Sequence, residues 1–257
     1  MTASTDPFQP TLCPFCHKPP VEGCRDARAD LVGILESGNI CPQGYERVLS
    51  LRSGRDIRIA CDYWPFPPRF EEARMSQAAV GGGLRAWQAE ARTRVKPWMQ
   101  THGDPVHHAG DAQPNLVIYG PTGVGKSWFA AAMGNFLKSR GRSVCFVEIS
   151  RLLEYRRGLF GKSQLEDLHD EPAMRAVFES DFMIFDNLGA ERTTSDFVRD
   201  TIWAVVNHRY SHRRSMITTT QFESSHWDGD ENWEAIARRL ATDAMILRAD
   251  EGRKANV

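Results

Sequence analysis

Residues 120–127 read GPTGVGKS, placing three glycines, a lysine and a serine at the spacing G-x-x-x-x-G-K-[ST]. Gly120, Gly123 and Gly125 lack a Cβ. The backbone there can take positive φ and wrap closely around a polyphosphate, its N–H groups turned towards the negative charge. Pro121, Thr122 and Val124 complete the loop, Lys126 is placed to reach the β and γ phosphates, and the Ser127 hydroxyl is a Mg²⁺ ligand. ATP with Mg²⁺ is the ligand this chemistry fits. Trp128 follows directly and is grouped with the loop, although a tryptophan on a first helical turn usually packs against its neighbours.

A second piece of the same chemistry lies downstream. The run FMIF at 182–185 ends in Asp186, as a buried strand does when it carries a carboxylate to the Mg²⁺ at the carboxyl edge of a sheet. ATPases usually place a second acid next, to polarise the attacking water. Here the residue is Asn187, which can orient a water but cannot take its proton, and Glu191 is the acid available four residues on. Either hydrolysis uses Glu191, or it is slow and the protein works chiefly as an ATP-bound switch. Thr218, Thr219, Thr220 and Gln221 close another apolar strand, and Gln221 is a candidate sensor or water-positioning group. The helical stretch WEAIARRL at 233–240 carries Arg238 and Arg239; Arg239 is the first candidate for an arginine finger acting on a neighbouring subunit.

These residues need a sheet to hold them. Apolar runs at 115–119, 143–149, 182–185, 216–220 and 244–248 are separated by helical patterns at 128–133, 171–178, 195–210 and 233–240. Short continuous apolar strands alternating with helices predict an α/β fold with a parallel sheet covered on both faces.

The composition sets outer bounds. With 257 residues the chain can build a real core, and a formal net charge of −1 gives no global field towards nucleic acid, so any such contact needs a local patch. No run of 18 apolar residues occurs and residues 1–16 have no signal-peptide pattern, from which a cytoplasmic location is expected.

Five of the six cysteines precede residue 62. In a reducing compartment this points to metal rather than disulfides. Residues 45–51 and 56–61 alternate around Ser53 and Gly54 and predict a hairpin within a loop-rich module over 1–70 that needs zinc as a staple. A helical connector over 71–110 follows, with Trp87, Val95 and Trp98 as its apolar contacts, and the ATPase domain covers 111–257.

The ordered set GPTGVGKS, FMIFDNLGAE, Arg199 with Asp200, ITTTQF and IARRL resembles the AAA+ helicase loaders of the DnaC and DnaI type and the related IstB-type transposition ATPases. The resemblance covers about residues 110–257. It implies a P-loop ATPase domain without a large helical lid, consistent with the few residues after Arg239, and an oligomer closed by ATP. Asn187 and Gln221 depart from the acid and the asparagine usual in these loaders. The resemblance further implies that the cysteine module is a zinc site gripping a replicative helicase. Cys13 and Cys16 form the knuckle, Cys41 and Cys61 are the favoured further ligands, and Cys24 and His17 are alternatives. Single-stranded DNA would lie along 150–163, with Arg151, Arg156, Arg157 and Lys162 on phosphates and Tyr155 or Phe160 stacking on bases. The implied function is ATP-dependent loading of a replicative DNA helicase onto single-stranded DNA. The alternatives are a transposition helper on duplex DNA and a zinc-dependent adaptor in which ATP is structural.

Overall fold

The computed structural model describes residues 56–75, 85–103, 115–159, 171–189, 195–223 and 231–250. From Ile57 onward the chain forms a single unit. In chain order its elements are α1 (Pro68–Glu71), α2 (Ala86–Gly103), β1 (Leu116–Tyr119), α3 (Lys126–Ser139), β2 (Val144–Glu148), α4 (Ile149–Gly158), α5 (Pro172–Glu179), β3 (Phe182–Leu188), α6 (Asp196–Ser211), β4 (Ser215–Thr220), α7 (Glu231–Ala241) and β5 (Met245–Arg248).

The five strands form one parallel sheet in the order β2-β3-β4-β1-β5. The runs 116–118, 144–147 and 182–185 are apolar on both faces because both are covered, whereas the edge strand β5 leaves Ile246 and Arg248 exposed. Leu116 and Ile118 of β1, Phe182 and Ile184 of β3 and Phe146 of β2 turn to a core shared with α1, α2 and α3. The intervening Cys145, Met183, Phe185 and Met216 turn to a second core, formed with α4, α5, α6 and α7. This is the period-2 alternation of a pleated strand, hidden in the sequence because neither face is polar. The predicted strands and helices of the ATPase domain are all present.

Residues ahead of the domain differ from expectation. The second arm of the predicted hairpin is helical at 56–60 and continues as a 3₁₀ turn, Cys61–Tyr63. Ile57, Ala60, Cys61 and Trp64 are buried whereas Arg58, Ile59 and Tyr63 are exposed, a spacing of i, i+3, i+4, i+7 that only a helix satisfies. The alternation of Ile57, Ile59 and Cys61 was coincidental. Residues 45–51 lie outside the described residues.

This segment covers the sheet edge. The Trp64 carbonyl accepts the Phe146 N–H of β2 at 3.1 Å, with Trp64 buried in one core and Phe66 in the other. The backbone groups of an edge strand are thereby partly paired and shielded. Residues 57–70 therefore belong to the ATPase domain rather than to a module ending at 70.

Cys61, expected as a zinc ligand, is instead a core residue. It is buried in the second core, hydrogen-bonded to Cys145, and that contact followed by burial pushes its thiol above the ordinary range, whereas zinc binds thiolate. No cluster of three or more metal-ligating side chains occurs among the described residues. Cys13, Cys16, Cys24, Cys41 and His17 lie outside them.

Candidate nucleotide site

The carboxyl ends of β1, β3 and β4 meet where the strand order doubles back, since β4 separates β1 from β3. Ligands of open α/β sheets bind at such switch points. The loop 120–125 leaves β1 here and runs into α3.

Gly120, Gly123 and Gly125 have φ of 144°, 82° and 88°, the region that glycine alone enters without strain. Gly120 is required for space as well: a Cβ there would lie 2.0 Å from the Ala249 carbonyl oxygen. Lys126 Nζ donates to the Gly120 and Pro121 carbonyls, each at 2.7 Å, which holds the ammonium at the loop. Burial pulls this lysine below its ordinary value and Asp186 opposes that shift. The N-terminus of α3 adds its unpaired N–H groups.

Asp186 is buried at the end of β3 and accepts the Thr219 hydroxyl at 2.6 Å. Burial raises its carboxyl above the usual range, while hydrogen bonds from Thr219 and Ser127, then the charges of Arg69 and Lys126, act against this. Ser127 and Asp186 are thus within reach of one another from α3 and β3, the pair expected to share Mg²⁺. The donor set of oxygens, with positive-φ glycines and a lysine alongside, fits ATP with Mg²⁺.

Asn187 lies in a bulge where two residues of β3 face one of β4, between the pairs Phe185–Thr218 and Leu188–Thr220. Its φ is 66°, a left-handed conformation that asparagine tolerates better than most residues, and its N–H donates to Thr219 Oγ1 at 2.9 Å. Its side chain is exposed. Gln221 is brought to the loop, where its Oε1 accepts the Thr122 hydroxyl at 3.2 Å. Glu191 lies outside the described residues.

The remaining candidates make contacts within their own chain. Trp128 packs against the core of α2 and α3, the packing role. Arg239 donates from Nε to Asn207 Oδ1 at 3.1 Å and lies 4.1 Å over the Trp203 ring, so its guanidinium is engaged by α6 of its own chain, whereas Arg238 beside it is exposed. Along α4, Arg151 donates to the Tyr63 carbonyl at 3.0 Å, Arg157 lies 5.5 Å over Phe197, and burial lowers Arg156. Tyr155 packs edge-on against Trp64 and donates to Glu171 at 3.5 Å, which occupies it structurally. Lys162 and Phe160 lie outside the described residues.

Sequence reasoning missed the brace behind the loop. Trp87 Nε1 donates to the Val124 carbonyl at 3.0 Å, and Gln88, fully buried, donates from Nε2 to the Gly125 carbonyl at 3.5 Å while accepting the Arg85 N–H at 3.0 Å. These contacts join residues 37 apart in sequence and carry no local signal. Thr219 was visible only as one of three threonines.

Parallel sheet, phosphate loop and strand-end aspartate together define a P-loop ATPase fold of the AAA+ class. Residues 107–251 match the model of the IstB-like ATP binding protein family, and the chain belongs to that family. Among curated relatives, it is 33% identical over 138 residues to the putative insertion sequence ATP-binding protein y4pL of Sinorhizobium fredii, covering 54% of this chain and 51% of that protein. It is 34% identical over 108 residues to the replicative helicase loader DnaI of Bacillus subtilis, covering 42% and 33%. The chain thus spans about half or less of the length of these relatives. The crystal structure of the DnaC helicase loader superposes with a TM-score of 0.58 at 19% identity, over 72% of this chain and all of that one, a likeness of fold. No helix among the described residues is long and apolar enough to cross a membrane.

Proposed function

We propose that this protein is an ATP-driven loader whose nucleotide-bound form assembles with further copies of itself and delivers a replicative helicase onto single-stranded DNA. The observation that carries this reading is the convergence of Ser127, Asp186, Thr219 and Gln221 on one phosphate loop. When bound, Mg²⁺ neutralises charge on the phosphates. Lys126, held here by the loop carbonyls, would contact the β and γ phosphates, Ser127 and Asp186 would hold the metal, and Gln221 would face the γ-phosphate end. Asn187 orients a water without accepting its proton, so hydrolysis is slow and the bound state long-lived. Arg238, exposed beside the engaged Arg239, reaches the neighbouring copy's phosphates. Arg151, Arg156 and Arg157 contact the DNA backbone, and Cys13, Cys16 and Cys41 with Cys24 or His17 hold zinc in the partner-binding segment.

A second reading, a transposition helper assembling on duplex DNA, is favoured by the insertion sequence relatives. Pull-down of a replicative helicase by the full chain and by a chain lacking residues 1–55 separates the two. Capture lost with the truncation supports the loader. Failure of the full chain to bind any helicase, together with filaments on duplex DNA, supports the transposition helper.

A further inference from the structure

Helix α2 has two unlike sides. Trp87, Gln88, Ala91, Val95, Trp98 and Met99 are buried, most of them in the core with α3, and every large apolar side chain of the helix is among them. The outer side is polar and basic. At 100° per residue, Arg85 at the N-terminal edge, Arg92 and Lys96 fall within about 40° of one another, because they are spaced by seven and four residues. They extend about 16 Å along the helix. The single acid of the helix, Glu90, falls on the far flank together with Arg94, four residues on.

All three stripe cations are exposed. The ion pairs among the described residues involve other arginines, Arg142, Arg175, Arg199, Arg214 and Arg248. The positive surface continues past the end of the helix, where Gly103 meets the last turn of α3 and exposed Lys138 and Arg140 follow. A chain with a net charge of −1 has therefore gathered on one face cations that form no ion pair among the described residues.

We propose that the stripe Arg85, Arg92 and Lys96 is a contact for the phosphate backbone of DNA, distinct from the strip on α4. The two lie on opposite faces of the sheet. A bilayer would require an apolar side on the helix, and a protein partner an aromatic or aliphatic anchor; α2 has buried both against its own core. Cations spaced along a rigid helix are what a backbone contact requires, and they carry no sequence information. The proposal rests on the DNA-binding part of the function above and is independent of which protein is delivered. The stripe also flanks Gln88, so DNA held there lies one helical turn from the brace on the Gly125 carbonyl.

The test is the salt dependence of binding to a single-stranded oligonucleotide and to its duplex. It uses the full chain, an Arg92→Ala plus Lys96→Ala variant, and Arg94→Ala as a control of equal chemistry on the other flank. Removing two phosphate contacts lowers the slope of log K against log salt by about 1.8 on duplex or about 1.4 on single strand. The arm in which the slope falls identifies the form of DNA held. Arg94→Ala leaves both slopes in place. Unchanged slopes in the double variant, with the parent protein binding normally, overturn this proposal alone, as does an equal loss in Arg94→Ala. A parent protein that binds neither DNA overturns the underlying reading. Stripe-dependent binding to phosphatidylserine vesicles with no stripe dependence on DNA overturns the assignment to nucleic acid.

Discussion

Thr219 donates its hydroxyl to Asp186 Oδ1 at 2.6 Å, fixing the carboxylate from the neighbouring strand. Thr219 Oγ1 itself accepts the N–H of Asn187 at 2.9 Å. One hydroxyl therefore orients the Asp186 carboxylate and stabilises the bulge that turns the next side chain out to solvent.

Replacing Thr219 with valine keeps the shape and removes both bonds. A buried carboxylate losing a donor costs about 1–3 kcal/mol when left unpaired, and the partly buried N–H of Asn187 losing its acceptor adds a smaller amount. We expect Thr219→Val to lower the denaturation midpoint and to weaken Mg²⁺-dependent ATP binding about tenfold or more, by calorimetry. Thr219→Ser restores both. Equal affinity in the valine variant would show that Asp186 needs no such support.

The sign of the Asp186 shift gives a pH test. Its folded-state carboxyl lies above the ordinary range because of burial, so the folded protein favours the protonated acid. That contribution to stability is present below the unfolded value and lost as pH rises through the folded one. Asp186→Asn should therefore be more stable than the parent at neutral pH, with the difference vanishing in acid, while Mg²⁺-dependent nucleotide binding falls. A variant less stable than the parent at neutral pH would contradict the assignment.

The phosphate loop and Asp186 were legible in the sequence because their chemistry depends on residue type and short spacing. The strands were legible from their apolar runs. Cys61 was misread because proximity to other cysteines says nothing about which core a helix enters, and the hairpin because three alternating apolar residues also fit a helix at i, i+4. Trp87 and Gln88 were out of reach: their partners lie 37 residues away, and only the packing of α2 on α3 brings them together.

The brace makes its own prediction. Gln88→Ala removes a buried donor behind Gly125, where the space a Cβ would need is filled by the Gln88 amide at 2.8 Å. We expect KM for ATP to rise with kcat little changed, because the loop is loosened while Asp186 and Gln221 keep their places. An unchanged KM would confine Gln88 to a role in folding.

Asn187 bears on turnover. Aspartate also tolerates the left-handed backbone at φ 66°, so Asn187→Asp should fold normally. If slow hydrolysis stems from the missing base, its turnover rises about a hundredfold or more, the size general-base catalysis contributes. No rise in single-turnover assays would sink that explanation.

The two arginines of α7 separate in the same way. Arg239→Ala should lose about 1 kcal/mol of stability with its Trp203 and Asn207 contacts. Arg238→Ala should leave stability intact and reduce turnover only at concentrations where copies assemble. Reversed phenotypes, with Arg238 structural and Arg239 concentration-dependent, would restore Arg239 as the finger.

The central claim is that ATP bound at this loop switches the protein into an assembly on DNA. Sedimentation of the full chain with DNA, with and without ATP and Mg²⁺, beside Lys126→Ala, tests it most directly. The expected result is a DNA-bound oligomer for the parent only when nucleotide is present, and none for the variant. Equal assembly with and without ATP would contradict it.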